Sequence, residues 1–241
     1  CIANKEPLVM AGALVMAEAA AHGASILPVD SEHAALFACL HGHRIEDVER
    51  LILTGSGGPL RQRHDLDRVT VAEALRHPTW SMGRKITVDS ATLMNKALEI
   101  IEAHHLFGLD CGRIEVLIHP QSVVHGLVAL RDGSLLAHLA APDMRGPIQQ
   151  ALTWPVHRPG PLAAPDLVRL GRLDFEAPDH DRFPALGLGR RAAAAGGLAP
   201  VVLNAANECA VALFLAGRLS YLGIAALVAH ALERSPSGPA D

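Results

Sequence analysis

Three observations predict a mixed α/β fold with a mostly antiparallel sheet. Helical and strand-like patterns alternate from the N-terminus to Thr54, and three short apolar runs follow at close spacing between Ile114 and Ala140. Past a stretch dense in proline, alanine and leucine take over at helical spacing.

Over residues 6–22, Leu8, Ala11, Val15 and Ala19 recur at helical spacing, and Pro7 suits a first turn. Ser25 to Val29 reads as a buried strand. A helix is expected from Ser31 through Leu40, because serine followed by an acid is a good N-cap pattern. Val48 to Thr54 reads as a second strand, closed by T-G-S-G-G-P (54–59). Residues 76–85 read as a loop, and Ser90 precedes one long helix to about Phe107. Ile114 to Ile118, Ser122 to Leu130 and Leu135 to Ala140 read as strands, with D-G at 132–133 marking a hairpin turn. Met144 to Trp154 suits a helix. The proline-rich stretch 155–184 reads as an extended connector, followed by helices near 184–195, 203–216 and 221–233 and a frayed tail from Ser235.

Composition narrows the function. Of 241 residues, 50% are hydrophobic and only 3% aromatic, so the core must be built from Ala, Leu, Val and Ile. A net charge of −4 argues against a nucleic-acid surface, and the basic groups at Arg61 to Arg63 and Arg190-Arg191 are too small to form one. No apolar run reaches the roughly 20 residues that span a bilayer. Cys1, Cys39, Cys111 and Cys209 lie far apart, which suits reduced thiols and a cytoplasmic location. The chain opens on C-I-A-N-K-E without an initiator Met, and it is expected to be part of something longer.

Several stretches carry polar side chains that suit chemistry. In P-V-D-S-E-H (28–33), Asp30 and Glu32 would share a face if extended and could converge on a hard cation; a solvated turn or an N-cap is the plain alternative. In S-A-T-L-M-N-K-A-L-E-I-I-E-A (90–103), helical spacing brings Asn95, Lys96 and Glu99 to one face, and Glu102 extends it. An exposed Lys–Glu pair fits the same pattern. Glycines in T-G-S-G-G-P let backbone N–H groups approach an anion, with Ser56 as a further donor, or simply turn the chain. H-P-T-W-S-M-G (77–83) suits a loop closing an apolar cover over a ligand, or buried loop packing. His41, His43, His104 and His105 lack zinc-site spacing, and no G-x-S-x-G elbow is present.

Taken in order, A-N-K-E (3–6), P-V-D-S-E-H (28–33), L-T-G-S-G-G-P (53–59), H-P-T-W-S-M-G-R-K (77–85), V-D-S-A-T-L-M-N-K-A-L-E (88–99), I-H-P-Q-S-V-V-H (118–125), P-D-M-R (142–145) and N-A-A-N-E (204–208) closely resemble the 1-deoxy-D-xylulose 5-phosphate reductoisomerase family. The resemblance implies conversion of 1-deoxy-D-xylulose 5-phosphate into 2-C-methyl-D-erythritol 4-phosphate, in non-mevalonate isoprenoid biosynthesis, with NADPH and Mg²⁺ or Mn²⁺. It implies an α+β catalytic domain over 1–154 with a mostly antiparallel sheet and flanking helices, a linker over 155–182, and a truncated C-terminal helical bundle over 183–241. It further implies a homodimer joined through the sheet.

By motif, the resemblance assigns the metal to Asp30, Glu32 and Glu99, and the reacting oxygens to Lys5. Substrate contacts fall to Lys5, Ser31, Glu32, Ser56 and Glu99, with His77, Ser90, Asn95 and Lys96 mainly around its phosphate. Cofactor contacts fall to Asn4, Glu6, Gly83 and Met144, the flap to Trp80 and Met82, and His125 lies nearby. Pro7 stands where the family commonly has serine, and Gly146 where it has threonine. The family also carries an NADPH-binding Rossmann domain before A-N-K-E, which these residues do not supply. Turnover by this chain alone is therefore expected to be absent or very weak. A truncated paralogue that binds phosphosugar or metal without reducing anything is the competing expectation.

Overall fold

The computed structural model describes residues 1–235. The elements run α1 (Glu6–Ala21), α2 (Ser31–Leu40), β1 (Val48–Gly55), α3 (Val71–Ala74), α4 (Arg84–Thr92), α5 (Met94–Phe107), β2 (Ile114–Ile118), β3 (Val124–Leu130), β4 (Leu135–Leu139), α6 (Arg145–Thr153), α7 (Leu167–Leu170), α8 (Ala185–Ala195), α9 (Ala199–Leu215) and α10 (Tyr221–Glu233). The sheet order is β2-β1-β3-β4. β1 pairs antiparallel with β3, and β3 with β4 through the expected D-G turn, where Gly133 has φ +89°. β1 and β2 run parallel, from Leu51 opposite Ile114 to Gly55 opposite Ile118. Among the described residues, no helix is long and apolar enough to cross a membrane.

Helix α5 organises the molecule. Ile100 and Ala103 join a core with Leu51, Leu53, Ile114 and Val128 of the sheet. Met94, Ala97, Leu98 and Ile101 join a second core with Val9, Leu188, Leu203 and Val228. The helix is thus apolar on two sides, and its polar stripe runs between them, with Asn95 half-buried and Lys96, Glu99 and Glu102 buried. Glu99 is 0% and Glu102 1% exposed, which removes the exposed ion-pair reading. α8 approaches closely enough that a Cβ at Gly189 would lie 2.7 Å from that of Ala97.

Three local expectations need correction. Ser25–Val29 forms no strand. Ile2 and Pro28 make an isolated parallel bridge, with Ile2 N–H donating to Leu27 and Val29 N–H to Ile2, and proline has no N–H to extend it. Asp30, not Ser31, precedes the first turn of α2, and it makes no capping hydrogen bond. The long helix expected after Ser90 is two helices: α4 already starts at Arg84, and Leu93 breaks the run with φ +61°. The Thr92 hydroxyl bridges the break, donating toward the Val88 and Asp89 carbonyls and accepting from Met94 N–H.

Candidate active site

Chain ends and corners bring the acidic residues together. Lys5 stands at the start of α1, Asp30 and Glu32 at the start of α2, and Glu99 in the middle of α5. One carboxylate oxygen from each of Asp30, Glu32 and Glu99 lies within 4.8 Å of the others. Asp30 and Glu32 converge because the first turn of α2 curls them inward, and not through strand alternation.

Two buried ammonium groups stitch this cluster. Lys5 Nζ lies 2.5 Å from Asp30 Oδ2 and 3.0 Å from Glu99 Oε1, and donates to Asn95 Oδ1 at 2.7 Å. Lys96 Nζ lies 2.5 Å from Glu32 and 2.6 Å from Glu99 Oε2. Ser31 Oγ donates to Glu32 at 2.5 Å, and Asn95 Nδ2 donates to Glu99 at 2.5 Å. Gly55 makes room for Lys96, whose Cε would be 2.9 Å from a Cβ there.

Three carboxylates and two ammonium groups leave a net negative charge out of water. Burial, then the neighbouring Glu32, push Glu99 up to about 7 against the pull of Lys5 and Lys96. Burial also opposes ionisation of Asp30, but Lys5 overcomes it and holds the carboxyl below its usual range. Lys5 and Lys96 are raised despite burial, Lys5 chiefly by Asp30 and Lys96 chiefly by Glu32.

One turn along α5, Glu102 meets His33. His33 Nε2 faces the Glu99 carbonyl at 3.0 Å, while Nδ1 lies 3.4 Å from Glu102 Oε2 and 3.9 Å from Asp30 Oδ2. Burial pushes Glu102 up to about 7. Asp30, His33 and Glu102 form a second group whose ligand atoms lie within 4.8 Å of one another.

Beside the acids opens a cleft of about 220 Å³, lined by Lys5, Asp30, Ser31, Glu32, Asn95 and Lys96 on one side and Ser56, His77 and Ser90 on another. His77 Nδ1 accepts from the N–H groups of Thr79 and Trp80, so its neutral ring carries the proton on Nε2. That N–H faces both hydroxyls, Ser56 Oγ at 3.0 Å and Ser90 Oγ at 3.1 Å. Ser56 Oγ also accepts from Gly58 N–H. Gly58 has φ +69°, and a Cβ there would sit 2.6 Å from the Ser90 carbonyl oxygen. Burial, then Lys96, keep His77 below its usual pKa. Hydroxyls and an imidazole N–H, with the Lys96 ammonium nearby, are donors of the kind that suit an anion.

Trp80 and Met82 line the cleft with Met144, and Trp80 meets His125 edge-on at 6.2 Å between ring centroids. Asn4 and Gly83 are exposed and Glu6 pairs with Lys85 at 3.4 Å; none of these three lines the cleft. Sequence reasoning missed Thr54 and Ser122, which also line it. Thr54 donates to the Val124 and His125 carbonyls, and Ser122 has a left-handed backbone at φ 52°. Nothing in P-Q-S announces that conformation. It also passed over His33, although the residue closes the D-S-E-H motif.

Two family models match the chain: 1-deoxy-D-xylulose 5-phosphate reductoisomerase C-terminal domain over residues 26–107, and DXP reductoisomerase C-terminal domain over 139–241. The reductoisomerase of Afipia carboxidovorans is 57% identical over 96% of this chain and 58% of its own length. That of Geobacillus kaustophilus is 57% identical over 97% of this chain and 62% of its own. The enzyme from Zymomonas mobilis, solved with NADPH, superposes with a TM-score of 0.92 at 46% identity, over 99% of this chain and 62% of that one. A DOX-P reductoisomerase solved with NADPH, fosmidomycin and magnesium superposes with a TM-score of 0.92 at 47% identity, over 96% and 60%. The chain therefore spans about 60% of the length of the relatives it matches, between 58% and 62% in these four. With two family models on its sequence and these solved structures on its fold, the chain belongs to the 1-deoxy-D-xylulose 5-phosphate reductoisomerase family.

Proposed function

We propose that this chain forms the metal- and substrate-binding part of an enzyme that isomerises 1-deoxy-D-xylulose 5-phosphate and reduces it with NADPH to 2-C-methyl-D-erythritol 4-phosphate. The observation that carries the proposal is the meeting of Asp30, Glu32 and Glu99 within 4.8 Å, beside a cleft whose donors suit an anion.

An all-oxygen, mostly anionic donor set fits Mg²⁺ or Mn²⁺. Asp30, Glu32 and Glu99 would hold the ion, which supplies Lewis-acid polarisation of a carbonyl oxygen. Lys5 and Lys96 already pair with these three carboxylates, so ion and ammonium groups compete for them. Lys5, released toward the cleft, is suited to stabilise negative charge on a substrate oxygen. Ser56, His77, Ser90, Asn95 and Lys96 bind the phosphate, and Ser31 orients Glu32. Trp80 and Met82 cover the bound sugar and exclude water. Asn4, Glu6, Gly83 and Met144 lie outside or at the rim of the acidic cluster, where a nicotinamide cofactor would approach. The relatives' NADPH and magnesium complexes support these two partners, and the chain is proposed to act as a cytoplasmic homodimer.

Calorimetric titration of Mn²⁺ tests the site directly. Asp30→Asn and Glu99→Gln are each expected to weaken binding by about a hundredfold, roughly 2.7 kcal/mol. Unchanged affinity in both variants would remove the proposed site.

A further inference from the structure

The motif N-A-A-N-E (204–208) lies on α9 and lines no part of the cleft, yet its second asparagine bonds the residue that precedes Ser90 of the cleft. Asn207 is completely buried and donates from Nδ2 to Asp89 Oδ1 at 2.8 Å. Asp89 is 1% exposed, and its other oxygen holds Lys85 at 2.8 Å, which in turn reaches Glu6 beside Lys5. From α10, the Tyr221 hydroxyl donates to the Ala91 carbonyl at 2.7 Å. Asp89 and Ala91 are the two neighbours of Ser90. The glycine-rich loop presses on the same turn, with Gly58 against the Ser90 carbonyl.

We infer that Asn207 and Tyr221 are positioning residues, through which α9 and α10 hold the Ser90 hydroxyl in register with His77 and thereby set anion affinity. What the anion is rests on the proposed function; the grip itself rests on these hydrogen bonds. The N-terminal end of α4 has fewer ties. Gly83 carries no side chain, and Lys85 is half-buried. Without the two bonds from the helical tail, the turn at Ser90 would keep the Lys85–Asp89 pair, the Gly58 contact and the packing of Val88 and Ala91, but no polar tie to α9 or α10 at the residues flanking Ser90.

The test uses the full chain with Tyr221→Phe and Asn207→Leu. Tyr221→Phe removes one oxygen and keeps the edge contact with Phe214, so it tests the claim even if Asn207→Leu folds poorly. Titration of inorganic phosphate, followed by ³¹P line width, is expected to show affinity about threefold weaker for Tyr221→Phe and about tenfold weaker for Asn207→Leu. Mn²⁺ affinity is expected to stay within about twofold, because Asp30, Glu32 and Glu99 bond to neither residue. Amide hydrogen exchange is expected to quicken in 84–92 and not in α5. Unchanged exchange in 84–92 would overturn the inference, as would phosphate and Mn²⁺ affinities that fall together. If the native chain binds no phosphate, the functional reading fails, and exchange alone then decides whether the helical tail positions Ser90.

Discussion

Glu99 and Glu102 sit one turn apart on α5, both buried and both raised to about 7, yet their surroundings differ in kind. Glu99 lies between two lysines that can lose a proton only at high pH. Glu102 faces His33, an imidazole that also meets the Glu99 carbonyl. The first arrangement locks charges in place; in the second, burial favours the protonated Glu102, which then carries no charge. Burial alone therefore does not make a carboxylate a cation ligand, and the partner decides what it costs to change it.

The largest effect should come from removing a locked partner. Lys96→Met leaves Glu32 and Glu99 short of positive charge, and is expected to cost about 3–5 kcal/mol in urea unfolding, partly restored by Mg²⁺. Glu102→Leu leaves the His33 ring without this one partner, and is expected to cost about 1 kcal/mol. Equal losses would erase the contrast. A smaller effect separates the two acids as cation ligands. Against the hundredfold loss expected of Glu99→Gln, Glu102→Gln should lower Mn²⁺ affinity less than about tenfold, through Asp30 and His33 alone.

The smallest effect concerns pH. Burial raises Glu102 from an ordinary value of 4.5 to about 7, so the folded chain keeps a proton that the unfolded chain has released. Stability from this group is complete below 4.5 and declines as pH rises to about 7. Glu102→Gln should flatten that decline by about 1 kcal/mol, seen as thermal midpoints at pH 5 and 7 that lie closer together than in the native chain. A slope that the substitution does not alter would show that Glu102 does not titrate as described.

Most of the elements were legible because apolar period, D-G and proline each have one physical meaning here. The parallel pairing of β1 with β2 was not, since apolar runs say nothing of strand direction. Nor was the break at Leu93, where neither glycine nor proline marks the turn and the compensating bonds come from Thr92. For the site, D-S-E and N-K-A-L-E carried their residue types openly, but spacing alone left a surface salt bridge equally good. Only the two cores flanking α5 distinguish a sealed Glu99 from an exposed one. Asn207 was visible only as part of a motif, because its partner Asp89 is 118 positions away.

The corner at Leu93 has one more consequence. Ser90 ends up on one arm and Asn95, Lys96 and Glu99 on the other, so a single left-handed residue sets the gap between the Ser90 hydroxyl and the acidic cluster. Under the proposed function the corner works as a gauge: a sugar phosphate one carbon shorter or longer could satisfy one arm only by leaving the other.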